Sequence, residues 1–353
     1  MDTRALESRI KGSLWGLAVG DALGAPYEFQ HRGSYMPSKD MVTCTTFSHK
    51  VDLTSISRLQ MYIDRGFQGR PLPAGSWTDD TSMQLCLAMS LSSTEGRLDW
   101  VDAARRWASW WRHGYMSVIG TCFDIAQGGT TQLALLSYSK LLDPKNPRPT
   151  HTPNMNPEIE CSGNGSLMRL SPVPAALHRD PPLAIKTASL QSKITHASPL
   201  CVDSCILATA YMIGFYHAEA NTAKERKQVV LSPDFTPFSD GTPIPLESAE
   251  LRDLHKRQLY KEKNVVDIET SGYVLATLEA ALWALWHSDT FEEGLLLLLP
   301  LGDDVDTIGA VYGELAGACY GYDEIPGRWL DALQRRDMLQ DAYAGIIELG
   351  LKP

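Results

Sequence analysis

DDVDTIGAVYGELAGACYG, residues 303–321, joins an acidic cluster to an apolar stretch with glycines at 309, 313, 317 and 321. A second such stretch, GSLWGLAVGDALG at residues 12–24, has glycines at 12, 16, 20 and 24. A spacing of four stacks each glycine above the last on one helix face. Each glycine costs up to about 1 kcal/mol against alanine in a helix interior. The repetition therefore needs a return, and close backbone packing supplies one, because a face without side chains admits another helix. The simplest arrangement pairs the two ladders as central, buried helices. Gly24, two residues before Pro26, also suits a helix end.

Helical signals dominate the rest of the chain. Period and length predict helices over 4–24, 81–92, 99–113, 183–194, 200–218, 271–287, 291–299 and 307–322. Short strands are conceivable only at 41–47 or 228–231. Residues 30–76, 143–165 and 219–268 read as loops. The last is polar and charged between two apolar helices, so it reads as a surface insertion in a single domain spanning 1–353.

Acidic motifs sit at two distant helix starts. WTDDT occupies 77–81, ahead of an apolar run, and DDVDT occupies 303–307. Capping explains one Asp or Thr at such a place. Five carboxylates interleaved with hydroxyls need more than that. Brought together they repel unless a cation lies between them. Carboxylates and Thr hydroxyls are hard oxygen ligands, suited to Mg²⁺, Mn²⁺ or Ca²⁺ rather than zinc. The expectation is a metal site, with more than one ion, built from both motifs.

The composition bounds the alternatives. The 353 residues are 44% hydrophobic and 21% charged, with a net charge of −10. That balance argues against broad binding to nucleic acid or anionic membrane. The seven cysteines include no C-x-x-C pair and read as small core residues in a reducing compartment. The N-terminus lacks a basic n-region and a clean apolar h-region, so a soluble cytoplasmic protein is expected, with a nuclear location left open.

Weaker motifs follow in order. GDALGAPYE, 20–28, delivers Glu28 onto a turn, where it becomes a candidate general base or ligand beside a metal site. FDIAQGGTT, 123–131, sets glycines and hydroxyls ahead of an apolar segment, which suits anion binding at a helix start. Alone, it reads as an ordinary helix start capped by Thr130. GNGSLMR, 163–169, is by itself a tight turn. THASP, 195–199, carries His196, and a lone His is more often a core or capping residue than a catalyst.

Together, GDALGAPYE, WTDDT, FDI with its Gly/Thr loop, GNGSLMR, THASP, SGYVLATLEAALWA and DVDTIGAVYGELAG resemble the ADP-ribosylglycohydrolase family, from about Gly12 to Gly321. The resemblance implies a compact all-α, single-domain orthogonal helical bundle. It implies a cleft with a two-metal centre of Mg²⁺ or Mn²⁺, and release of ADP-ribose from an ADP-ribosylated protein or other conjugate. It carries over Thr78, Asp79, Asp80, Asp304, Asp306 and Thr307 as metal ligands, and Glu28 and Asp124 as catalytic acids. It assigns Gly128, Gly129, Thr130, Thr131, Asn164, Gly165, Ser166 and His196 to ADP-ribose. Asp303 departs from the family, standing where many members have Gly; it adds charge. Val305 likewise replaces a small polar residue, and the Ala126–Gly129 stretch is looser than the family's form.

The leading expectation is a monomeric hydrolase of arginine-linked ADP-ribose. Serine-linked, O-acetyl and polymeric ADP-ribose are the alternative substrates. A non-catalytic relative that binds ADP-ribose would tolerate lost acids, and none is lost. A two-metal phosphoester hydrolase would recruit several His ligands, and only His196 is suitably placed.

Overall fold

The computed structural model describes residues 2–44, 71–118, 120, 129–141 and 162–352, with 139–141 as backbone only. Fourteen α-helices occur among them, and no strand. Helix α1, Thr3–Gly24, is followed by α2, Asp79–Ser93, α3, Trp100–His113, and α4, Gly129–Leu141. Next come α5, Pro172–Leu177, α6, Pro181–Lys193, and α7, Pro199–His217. The 219–268 segment holds α8, Ala223–Val230, and α9, Ala249–Arg257. Then follow α10, Val274–Trp286, α11, Phe291–Leu298, and α12, Val305–Tyr320. Helices α13, Gly327–Ala332, and α14, Arg336–Leu351, complete the frame.

Local chemistry sets many of the boundaries. Asp2 caps α1 by accepting from the Arg4 N–H, and Asp99 caps α3 by accepting from Val101 and Asp102. Gly114 ends α3 in the left-handed region, at φ 68°. Asp180 caps α6, and prolines open α6 and α7. Thr222 and Glu225 form a reciprocal capping box at α8.

Helices α1 and α12 make the most extensive helix pairing in the described structure. They run antiparallel, and every residue from Gly12 to Gly24 and from Val305 to Tyr320 is buried. A Cβ built on Gly12, Gly16 or Gly20 would fall under 3.0 Å from the carbonyl oxygen of Gly317, Gly313 or Gly309 respectively. The ladders do pair, glycine to glycine. Gly24 belongs to the contact as well: an added Cβ would collide with the Asp306 backbone. Gly321 caps α12 at a positive φ of 98°, and its backbone also lies against Gly12.

Around this pair the buried residues form one connected core. By length and composition α7 is the one helix among the described residues able to cross a membrane, and it is buried almost throughout. The five described cysteines are all buried, as expected. The 219–268 segment departs from a plain loop. Besides its two helices it buries Leu231, Leu246, Leu251 and Tyr260. The strand expected at 228–231 is instead the end of α8; of 41–47, residues 45–47 lie outside the described residues, and the described part makes a single bridge, Cys44 to Leu72.

Candidate metal centre and cleft

The ladder fixes the acids. Gly24 against Asp306 brings the end of α1 to the start of α12. A 3₁₀ turn over Ala25–Tyr27 then carries Glu28 across that junction, where it is buried. Asp21, in the last turn of α1, is fully buried. Its carboxylate accepts from the Thr78 N–H at 2.9 Å and Oγ1 at 2.8 Å, and from the Thr81 N–H at 3.0 Å and Oγ1 at 2.5 Å. One side chain thereby ties the WTDDT turn to α1. Asp79 and Asp80 occupy the first turn of α2, and Asp306 and Thr307 the first turn of α12 behind the cap position Asp304. Both helix starts direct partial positive charge toward the acids.

Oxygens of Asp21, Asp80 and Asp306 lie within 4.8 Å of one another, as do those of Glu28, Asp304 and Asp306. Glu28 is held well above the usual carboxylate range, first by burial and then by Asp306, Asp304, Asp79 and Asp80. Burial, with Asp21 as the main charged neighbour, pushes Asp79 up to about 7 and Asp80 well up. Asp306 rises through burial and Asp304. Asp304 rises through burial, opposed by hydrogen bonds from Asn164 and Thr307. These carboxylates cannot all ionise together in so small a space without a cation. Two buried oxygens, Asp80 Oδ1 and Asp306 Oδ1, accept no hydrogen bond. A buried orphan acceptor is costly, and two at one point, amid hard oxygen donors, fit a divalent ion.

The centre floors a cleft of about 420 Å³. Glu28, Asp79, Asp304 and Thr307 line it, whereas Thr78, Asp80 and Asp306 are buried. Thr130, Thr131, Asn164, Gly165 and His196 line its other walls. Asn164 donates to Asp304 Oδ2 at 2.6 Å and to Thr277 Oγ1 at 2.9 Å, joining the GNG turn to the acids. Helix α4 begins at Gly129, which is exposed, so Thr130 lies inside the first turn and not at the cap. Ser166 lies apart from the lining: it is fully buried and shares a 2.8 Å hydrogen bond with Ser192. Asp124 and Gly128 lie outside the described residues.

His196 is buried and pushed down to about 3, by burial and then by Arg169. It is a neutral imidazole at physiological pH. Its Nδ1 lies 2.8 Å from Thr195 Oγ1, which accepts from Arg169 at 2.8 Å. Arg169 is itself fully buried over the Trp107 ring, 3.8 Å from its centroid. Asp21, Thr277, Thr195 and Arg169 lie within the quoted motifs, but nothing in the sequence singles them out there as site residues. Asp21 interrupts an apolar run, and a charge on a helix buried all round is the one hint available.

A helical frame that gathers carboxylates and hydroxyls beside a glycine- and hydroxyl-lined cleft has the donor chemistry to hold hard cations. The chain belongs to the ADP-ribosylglycohydrolase family, whose model matches residues 2–351. It is 35% identical to the ADP-ribosylarginine hydrolase Tri1 of Serratia proteamaculans, over 94% of this chain and 77% of that protein. It is 28% identical to the ADP-ribosyl-[dinitrogen reductase] glycohydrolase of Rhodospirillum rubrum, over 94% of this chain and 92% of that one. Human ADP-ribosylhydrolase ARH3 is 26% identical, over 91% and 88% of the respective chains. A solved structure titled as an ADP-ribosylglycohydrolase-related protein complex matches with a TM-score of 0.69 and 30% identity, covering 98% of this chain and 99% of that chain. The protein is an ADP-ribosylhydrolase, releasing ADP-ribose from an acceptor.

Proposed function

We propose that the acceptor is arginine and that two divalent ions, Mg²⁺ or Mn²⁺, serve the reaction. Thr78, Asp79, Asp80, Asp304, Asp306 and Thr307 would hold them. The observation that carries the metal reading is the pair of orphan oxygens on Asp80 and Asp306 inside a cluster of mutually raised carboxylates. Asp306 belongs to both groups of converging acids, which favours two adjacent ions over one. When bound, such ions supply charge that polarises ribose hydroxyls and lowers the pKa of a coordinated water.

The chain's own residues do the rest. Glu28, on a turn between two helix ends and raised well above the usual carboxylate range by burial and the neighbouring acids, can take up a proton and give it up as the surrounding charge changes. Asp124, proposed as a second acid, follows the motif order alone. His196, neutral, offers one N–H to the cleft wall formed by the GNG turn. Gly129 to Thr131, with Gly128 just ahead, would place backbone N–H groups toward a pyrophosphate at the start of α4. Asn164 orients Asp304. Ser166 would act through its backbone or by holding the turn, since its side chain is committed to Ser192.

Arginine is favoured by the relatives named ADP-ribosylarginine hydrolase. The connected core and the extent of the family match favour one domain over 1–353, with 219–268 as an elaborated insertion. The net negative charge and the buried positions of the described cysteines favour a cytoplasmic monomer acting on ADP-ribosylated protein. Arginine-linked and serine-linked ADP-ribosyl peptides assayed in parallel test the acceptor. The arginine conjugate should turn over faster by about tenfold or more. Preference for the serine conjugate overturns this assignment.

A further inference from the structure

Two non-glycine residues at the mouth of the cleft hold left-handed backbone, Phe29 at φ 59° and Asp303 at φ 55°. Aspartate tolerates that region; a phenylalanine there is uncommon and strained. The two are locked together. The Phe29 N–H donates to the Asp303 carbonyl at 2.6 Å, and the Asp303 N–H donates to the Gln30 carbonyl at 2.7 Å. A Cβ at Gly302 would collide with the Gln30 carbonyl, so only glycine permits this clamp. The result is a fixed rim on which Phe29 is 44% exposed and the Asp303 side chain 49% exposed. A strained backbone kept at the rim of a site calls for a functional reason.

Position supplies the reason. Phe29 follows Glu28, and Asp303 precedes Asp304, so each stands one Cα–Cα step, about 3.8 Å, from an acid of the centre. Asp303 is not one of the acids that converge there. Its Oδ2 accepts from Thr270 at 3.2 Å, which steadies the carboxylate without neutralising it. The exposed His31 ring lies 3.7 Å from its Oδ1. The backbone clamp thus sets an aromatic residue and a carboxylate on one stretch of the cleft lining. Such a pair suits a planar cation: a ring packs on the plane and a carboxylate takes the N–H groups. A neutral hydroxyl or ester acceptor gains nothing from that charge.

We propose that Phe29 and Asp303 receive the guanidinium of the acceptor and so determine specificity for arginine. The proposal rests on the arginine reading given above. Its test uses the full-length protein loaded with Mn²⁺, with ADP-ribosyl-arginine as substrate and agmatine as a guanidinium probe. Asp303→Asn and Phe29→Leu should each raise KM about tenfold while kcat stays within about threefold. Both should relieve competitive inhibition by agmatine, and ADP-ribose affinity measured by calorimetry should stay the same. An unchanged KM and unchanged agmatine inhibition in both variants overturns the subsite while leaving arginine hydrolysis intact. Parallel loss of ADP-ribose affinity overturns it too, by making the rim part of the ADP-ribose site. A wild-type enzyme that cleaves serine-linked but not arginine-linked ADP-ribose removes the subsite and the arginine reading together.

Discussion

Asp21 shows what a single carboxylate does when both its oxygens are occupied. It accepts from the backbone and hydroxyls of Thr78 and Thr81, so it braces the WTDDT turn and leaves Asp79 and Asp80 to the acidic centre. Asp21→Asn replaces one acceptor with a donor that faces N–H and O–H groups. Supporting partners of this kind typically contribute about 10–100-fold to metal affinity. Mn²⁺ calorimetry should show a loss of that order in a variant that still folds, and unchanged affinity would reduce Asp21 to packing. Glu28→Gln separates binding from chemistry. It keeps shape but cannot exchange a proton, so ADP-ribose affinity should hold while kcat falls about a hundredfold or more. Calorimetry beside a turnover assay decides, and undiminished turnover makes Glu28 a bystander. The acids and Glu28 are legible in the sequence because their motifs are local. Asp21 is not, because its partners lie 57 and 60 residues away.

Among the elements, the antiparallel pair α1 and α12 positions the chemistry. Its glycine faces bring the backbones into contact, and the last step of the ladder, Gly24 on Asp306, places the second acid motif beside the first helix. Gly16→Leu should destabilise the protein by about 3 kcal/mol or more, because the added side chain meets the backbone of Gly313, which cannot move aside. Gly327→Ala is the control: open space surrounds that position and little change is expected. Thermal melts of the two variants check this, and equal melting temperatures would refute the packing role. Glycine spacing alone pointed to the pairing, since a four-residue period is a geometric statement about one helix face. The helices of 219–268 were hidden by polar composition. There α9 buries only Leu251, Leu254 and His255, too narrow an apolar stripe to stand out. Helix α14 has an ordinary period through Leu339, Ala342, Tyr343 and Ile346, but it lies outside the motif order.

At the scale of the whole molecule, the fold holds together acids that repel one another. Asp79 titrates near 7, and Glu28, Asp80 and Asp306 are raised with it, chiefly by burial. With folded values above unfolded ones, the metal-free protein gains stability from protonation below about 4 and loses it as pH rises through about 7. A cation reverses that loss, so the melting-temperature gain from Mn²⁺ should be larger at about pH 8 than at about pH 6. An equal gain at both values would mean that the ion binds elsewhere.

The central claim is that these acids hold the divalent ions on which ADP-ribose release depends. Release of ADP-ribose from an arginine-linked peptide should therefore be measured on extensively dialysed protein, first in excess chelator and then with Mg²⁺ or Mn²⁺ added back. The account predicts no turnover in chelator and restoration by either ion. Full turnover in excess chelator would contradict it.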